Sequence, residues 1–226
     1  MPLAALAPVL LAQGLWVRRR ALRLPEADGP RAGTAGQGAP LQLLILGDSA
    51  AAGVGCATQS QALSGHLVAA LAARHRVDWR LEARTGWRTA DLLAHLDTLE
   101  PAPFDVAVTS LGVNDVTGGL RRGDWLAQQE ALIALLHSRF GVGRVVLTPV
   151  PPMGAFSALP QPLRGVLGRR AARFNAGLTA RMAGREGVVI AAPEFDLTPD
   201  LLAEDGYHPA PKACAIWAAA LARAIG

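Results

Sequence analysis

Three short, nearly continuous apolar runs most restrict what this chain can become: LQLLIL at 41–46, FDVAVTSL at 104–111 and RVVLTPV at 144–150. Runs of this length with little polar alternation fit strands covered on both faces. Between and around them the spacing turns helical. Residues 59–74 carry Leu63, Leu67, Ala70 and Leu71; residues 89–99 form a short helix that Thr89 is placed to cap; residues 124–140 carry Leu126, Leu132, Leu135 and Leu136. A strand at 77–83, a helix at 163–183, a short strand at 188–192 and a closing helix at 211–225 complete the alternation. The pattern predicts a three-layer α/β/α domain, with a five-stranded parallel sheet between two layers of helices.

The chain has 226 residues, enough to bury a sizeable core in one domain. Hydrophobic residues make up 51% and charged residues 18%, which excludes a disordered or collagen-like chain. The net charge is +4, but arginines and acids are interspersed over most of the length. With no nucleic-acid motif and few aromatics for base stacking, no nucleic-acid partner is expected. Cys56 and Cys214 fit no metal or redox spacing and are expected to be buried as small apolar residues.

Residues 1–22 read as an apolar helix closed by a basic cluster, MPLAALAPVLLAQGLW followed by VRRRALR. A secretory signal carries its charge before the apolar core, so this order disfavours export. The run is shorter than the roughly 20 residues of a spanning helix. Two placements remain open, docking on the domain or lying at a membrane surface. The expected location is cytoplasmic, with peripheral contact at the inner membrane surface through residues 1–22. Residues 23–40, rich in Gly, Pro and Ala, read as a linker, and the domain is expected over 41–226.

In parallel α/β sheets ligands sit outside the carboxyl ends of the strands. Gly47, Asp48 and Ser49 follow the first apolar run. Thr85, Gly86 and Trp87 follow the second strand, and Gly112, Val113, Asn114 and Asp115 the third. Asp205, Gly206, Tyr207 and His208 precede the closing helix. Each has an ordinary reading as a turn or cap. Together they supply a hydroxyl, a close backbone approach, a side-chain amide and an Asp–His pair, the parts that acyl transfer needs.

GDSAAAG at 47–53, the glycine of ARTGWRT, GVND at 112–115 and DGYH at 205–208 resemble the four marker blocks of the SGNH hydrolases, the GDSL esterases and lipases. The resemblance covers roughly residues 41–226. It implies a flavodoxin-like sheet and hydrolysis of carboxylic esters without metal or cofactor. It assigns Ser49 as nucleophile, His208 as base and Asp205 as its orienting acid. The oxyanion donors it implies are the N–H groups of Ser49 and Gly86 and the amide of Asn114. Asp48 and Asp115 are read as bracing their loops. His66, His75, His95 and His137 have no matching partner in the sequence. Trp87, Met153, Phe156 and Leu159 lie in predicted loops at the same edge, where they are expected to line the substrate pocket. The substrate is expected to be a small-molecule or lipid ester. A lysophospholipase, a thioesterase, a carbohydrate acetylesterase and a catalytically silent binding or membrane-associated module remain as alternatives.

Overall fold

The structure is a computed structural model that describes residues 3–193 and 197–226. The elements in chain order are α1 Leu3–Arg20, β1 Ala32–Ala35, β2 Ala39–Gly47, α2 Leu63–Ala72, β3 His75–Ala83 and α3 Thr89–Thr98. They continue with β4 Val106–Ser110, α4 Val113–Thr117, α5 Arg122–Phe140, β5 Arg144–Thr148, α6 Leu163–Met182, β6 Val188–Ile190 and α7 Pro211–Ile225.

β2 alternates at the strand period, and both of its faces are covered. Leu44 and Leu46 pack on one side with Leu92 of α3, Leu132 of α5 and Phe174 of α6. Leu43 and Ile45 pack on the other with Leu67 of α2 and Trp217 of α7. That arrangement gives three layers and explains why the run looks continuously apolar. Each fully buried leucine in it contributes about 2 kcal/mol relative to exposure.

The sheet has six strands in the order β1-β3-β2-β4-β5-β6. β2, β3, β4, β5 and β6 pair in parallel. Without β1 they follow the flavodoxin-like order. The chain reverses its direction of travel across the sheet between β2 and β4, so the carboxyl ends of those two strands flank the switch-point crevice.

The sixth strand corrects the expected count and the expected linker. β1, sequence AGTA, lies within residues 23–40 and pairs antiparallel with the outer edge of β3, Ala32 opposite Arg80 and Ala35 opposite Val77. Its hold comes mainly from backbone pairing, with Thr34 donating to Asp78 and only Ala35 reaching the core, so it carries no hydrophobic pattern. Gly36, at φ +78°, turns the chain from β1 into β2. A Cβ there would sit 2.3 Å from the carbonyl oxygen of His75. Ahead of β1, Glu26 Oε1 accepts the Thr85 N–H at 2.7 Å, and the Asp28 carbonyl accepts the Gln59 N–H at 2.7 Å. The segment is therefore fastened to the sheet edge that bears the strand ends.

α1 lies against α6. Gln13 Nε2 donates to the Gln161 carbonyl at 2.6 Å, and Gln13 Oε1 accepts the Leu163 N–H at 3.1 Å. Thr89 begins α3 without capping it. Asp91 accepts the N–H of Arg88, the residue before the helix, at 2.9 Å.

Cys56 and Cys214, distant in sequence, are buried free thiols with their sulfurs 3.8 Å apart. Arg169, Arg170 and Arg173 of α6 meet Arg121 and Arg122 around a second cavity of about 750 Å³.

Candidate active site

Ser49 stands in the tight turn that leaves β2. Gly47 is required there: a Cβ would come within 2.5 Å of Ala51 Cβ and 2.6 Å of the Ser110 carbonyl oxygen. The turn is held by the Asp48 N–H on the Ser110 carbonyl (3.1 Å) and by the Ala52 N–H on the Asp48 carbonyl (2.9 Å). A packed strand therefore anchors a half-buried hydroxyl with small residues behind it.

His208 reaches this hydroxyl from the loop before α7. Its Nε2 lies 2.8 Å from Ser49 Oγ, and its Nδ1 lies 2.5 Å from Asp205 Oδ2. The loop closes on itself: Ala203 N–H bonds to the His208 carbonyl at 2.8 Å, and Gly206 takes φ +70° at its tip. Asp205 Oδ1 accepts the N–H groups of Tyr207 (3.0 Å) and His208 (3.1 Å). Burial pushes the Asp205 carboxyl up, but the bond from His208 and these two N–H groups outweigh it and hold it below its ordinary range. The acid is thus an anion held by three donors, the His208 ring and the N–H groups of Tyr207 and His208.

Asn114 lies in the first turn of α4, after β4. Gly112, at φ +127°, begins that helix where a Cβ would strike Val150 Cγ2 at 2.6 Å. Asn114 Nδ2 donates one hydrogen to the Trp87 carbonyl at 2.9 Å, which fixes the amide and leaves its second hydrogen free. Gly86 has φ +86°, and a Cβ on it would meet nothing within 4 Å. The N–H groups on either side of Ser49 and of Gly86 are bonded to protein acceptors. Among the described residues no acceptor is paired with the N–H of Ser49 or of Gly86 themselves.

Ser49, Gly86, Asn114 and His208 line one cavity of about 800 Å³. Asp205 lies behind His208, its side chain 1% exposed. Met153, Phe156 and Leu159 also line the cavity and are buried. Trp87 does not, which corrects its expected role. Its N–H bonds back to the Arg84 carbonyl at 3.2 Å, closing the loop. Its ring lies against His95 of α3, with centroids 4.8 Å apart and the planes tilted by 43°. His95, read as partnerless, is 2.7 Å from Glu82.

Three contributors were missed in the sequence. Tyr207 meets Phe156 edge-on at 6.1 Å, directly beside the base. Asn175 of α6 clamps Val150 through both its N–H (2.9 Å) and its carbonyl (2.8 Å), fixing the loop that leaves β5. Val17 of α1 lines the cavity from the far end of the chain. Adjacency to His208 was a signal for Tyr207; the other two are long-range contacts without a local signature.

Asp115 braces the site. It is fully buried and accepts the Thr89 N–H (3.2 Å) and hydroxyl (2.9 Å), tying α4 to α3. Burial pushes its carboxyl up. Asp48 is also buried, accepting only the Ala50 N–H (3.1 Å) at its side chain among the described residues, and burial raises it from 3.8 to about 6. A carboxyl raised on folding favours the folded state below its unfolded pKa and loses that advantage as pH climbs through the folded value. Ionised Asp48 therefore weighs against the fold by at most about 3 kcal/mol near neutrality. Asp48→Asn is expected to melt at a higher temperature than the parent at pH 8, with the gap closing toward pH 4. Thermal unfolding followed at both pH values checks this.

A family model of the GDSL-like lipase/acylhydrolase family matches residues 45–216. The chain belongs to that family. A GDSL-like esterase of Mycobacterium tuberculosis is 31% identical over 187 residues, a match that takes in 78% of this chain and 59% of the relative. The chain thus spans less than two thirds of that curated relative's length. Among solved structures, the psychrotrophic esterase EstA of Pseudoalteromonas, in a form inhibited by monoethylphosphonate, aligns with a TM-score of 0.62 at 20% identity. That alignment covers 81% of this chain and 96% of EstA. Axe2, an acetylxylan esterase of Geobacillus stearothermophilus, aligns with a TM-score of 0.61 at 18% identity, over 84% and 95% of the two chains. These two likenesses show a shared fold.

Proposed function

We propose that this family member is a serine ester hydrolase that passes its acyl group through Ser49. What carries the reading is the unbroken chain from Ser49 Oγ through His208 to Asp205, opening on a cavity that also holds Asn114 and two N–H groups with no acceptor among the described residues.

In this mechanism Ser49 Oγ attacks the ester carbonyl while His208 Nε2 takes its proton. Asp205 holds Nδ1–H, keeps Nε2 free as the acceptor and stabilises the imidazolium as it forms. The carbonyl oxygen becomes an oxyanion and is met by the N–H groups of Ser49 and Gly86 and the free Asn114 amide hydrogen. His208 returns the proton to the leaving alcohol as the C–O bond breaks. Water then repeats the sequence on the acyl-enzyme, releasing the acid and regenerating Ser49.

The walls supplied by Met153, Phe156, Leu159 and Leu202 suit an aliphatic acyl chain better than a sugar. The volume is within the usual range for small-molecule sites. EstA's inhibition by a phosphonate supplies the cheapest test. A fluorophosphonate probe is expected to label the folded protein at Ser49, and p-nitrophenyl esters of four to eight carbons are expected to turn over faster than the acetate. Absence of labelling would sink the esterase reading. A preference confined to acetyl groups would move the substrate to acetylated carbohydrate.

Asn114→Ala is expected to lower kcat by roughly 10²–10³-fold with little change in KM, because the lost hydrogen bond forms with the transition-state oxygen. Steady-state kinetics on a soluble ester, with circular dichroism to check folding, measures it.

A further inference from the structure

Apart from Gln13, α1 is apolar on every side as far as Val17, yet among its described residues only one stripe is covered. Leu6, Leu10, Gln13, Gly14 and Val17 fall on the half-buried side at helical spacing. The other residues from Ala7 to Arg20 are exposed. All the large apolar residues identified as exposed among the described residues lie on this helix or just beyond it: Val9, Leu11, Leu15, Trp16 and Leu22, with Leu11 at 67% and Trp16 at 49% exposure. A soluble surface scatters such residues singly. Their concentration on one element marks a contact surface.

The charge beside that surface has one sign. Arg18, Arg19, Arg20 and Arg23 are all exposed, and no acidic residue precedes Glu26. Arg20 lies over the Trp16 ring at 5.7 Å, an amphipathic pair suited to a headgroup boundary. Among the described residues no helix is long and apolar enough to cross a membrane. α1 is therefore built to lie along a surface. Anionic headgroups would complement this cluster, whereas a second copy of the same helix, which carries no acidic residue, would offer it no countercharge.

We propose that the outer face of α1 seats the protein on an anionic lipid bilayer. Val17, on the inner stripe of the same helix, lines the cavity of Ser49. The bilayer contact thus lies one helix thickness from the cavity, and on the ester-hydrolase reading the substrate is an amphiphilic ester drawn from that surface. Binding itself does not rest on that reading.

The test is co-sedimentation of the full chain with sucrose-loaded vesicles of phosphatidylglycerol and phosphatidylcholine, beside vesicles of phosphatidylcholine alone. The chain is expected to pellet with the anionic vesicles and to be released by salt. Replacing Arg18, Arg19 and Arg20 together by serine is expected to weaken partition on the order of a hundredfold. Leu15→Glu with Trp16→Glu is expected to abolish it. Both variants change outward-facing side chains, and fluorophosphonate labelling together with circular dichroism checks that they remain folded. Failure of the full chain to pellet at low salt overturns the proposal, as does pelleting that both variants leave unchanged. A dimer in sedimentation velocity that Leu15→Glu with Trp16→Glu converts to monomer overturns it in favour of a second copy on this face. Pelleting without ester turnover would overturn the catalytic reading alone.

Discussion

Ser49→Ala is expected to lower kcat on p-nitrophenyl butyrate by roughly 10⁴–10⁶-fold while leaving the fold intact. The hydroxyl is the one group in the cavity that is both 2.8 Å from His208 Nε2 and held on a packed strand end. Without it, His208 has no proton to take and no acyl-enzyme forms. What remains is attack by water, assisted by the N–H groups around Gly86 and by Asn114. The cost in stability should be small, because the hydroxyl is half-buried and His208 Nε2 can turn to water in the open cavity. Ser49 and His208 act as a unit, so combining Ser49→Ala with His208→Ala should cost little more than either change alone. Additive losses would mean that the two side chains work independently. A Ser49→Ala protein that keeps more than a hundredth of its activity would remove the nucleophile assignment.

Much of this site could be read before any coordinates because its parts lie at strand ends, and strand ends are marked by abrupt changes in polarity. Leu43 to Leu46 is buried on both faces, so the run is apolar without interruption and its end at Gly47 is sharp. The same holds for β4 ahead of Asn114. Where structure depends on backbone pairing or on direction within a loop, that signal fails. β1 is held to β3 by its own amides and carbonyls, and AGTA contains no side chain large enough to announce it. Trp87 follows the oxyanion glycine, but its N–H bonds three residues back to Arg84, and its ring lies against His95 on α3 and away from the cavity. Thr89 was placed by its type as a cap. Buried Asp115 needs donors, however, and takes both the hydroxyl and the N–H of that threonine. Val17 and the Cys56–Cys214 contact join residues brought together only by the whole fold.

Asp205→Asn is expected to lower kcat by about 10⁴-fold with KM nearly unchanged, although the side chain never touches the substrate. An asparagine can still accept the N–H groups of Tyr207 and His208 through its oxygen, so the loop should keep its shape. Its amide nitrogen then faces His208 Nδ1 and donates where the carboxylate accepted. That makes Nδ1 the acceptor and moves the ring proton to Nε2, which can no longer take the proton of Ser49. The charge that would stabilise the imidazolium is lost as well. Stability carries a separate signature. The Asp205 carboxyl lies below its ordinary range, so its contribution is full above that range and is lost as pH falls below it toward the depressed folded value. Asp205→Asn should therefore melt below the parent at pH 7, and the two melting temperatures should draw together as pH falls below the ordinary carboxylate range. A pH series of melting temperatures run beside the kinetics separates the two effects. Loss of activity with no convergence would leave Asp205 as an orienting acid that does not stabilise its loop. Retention of more than a tenth of the activity would show that His208 needs no acid to hold its tautomer.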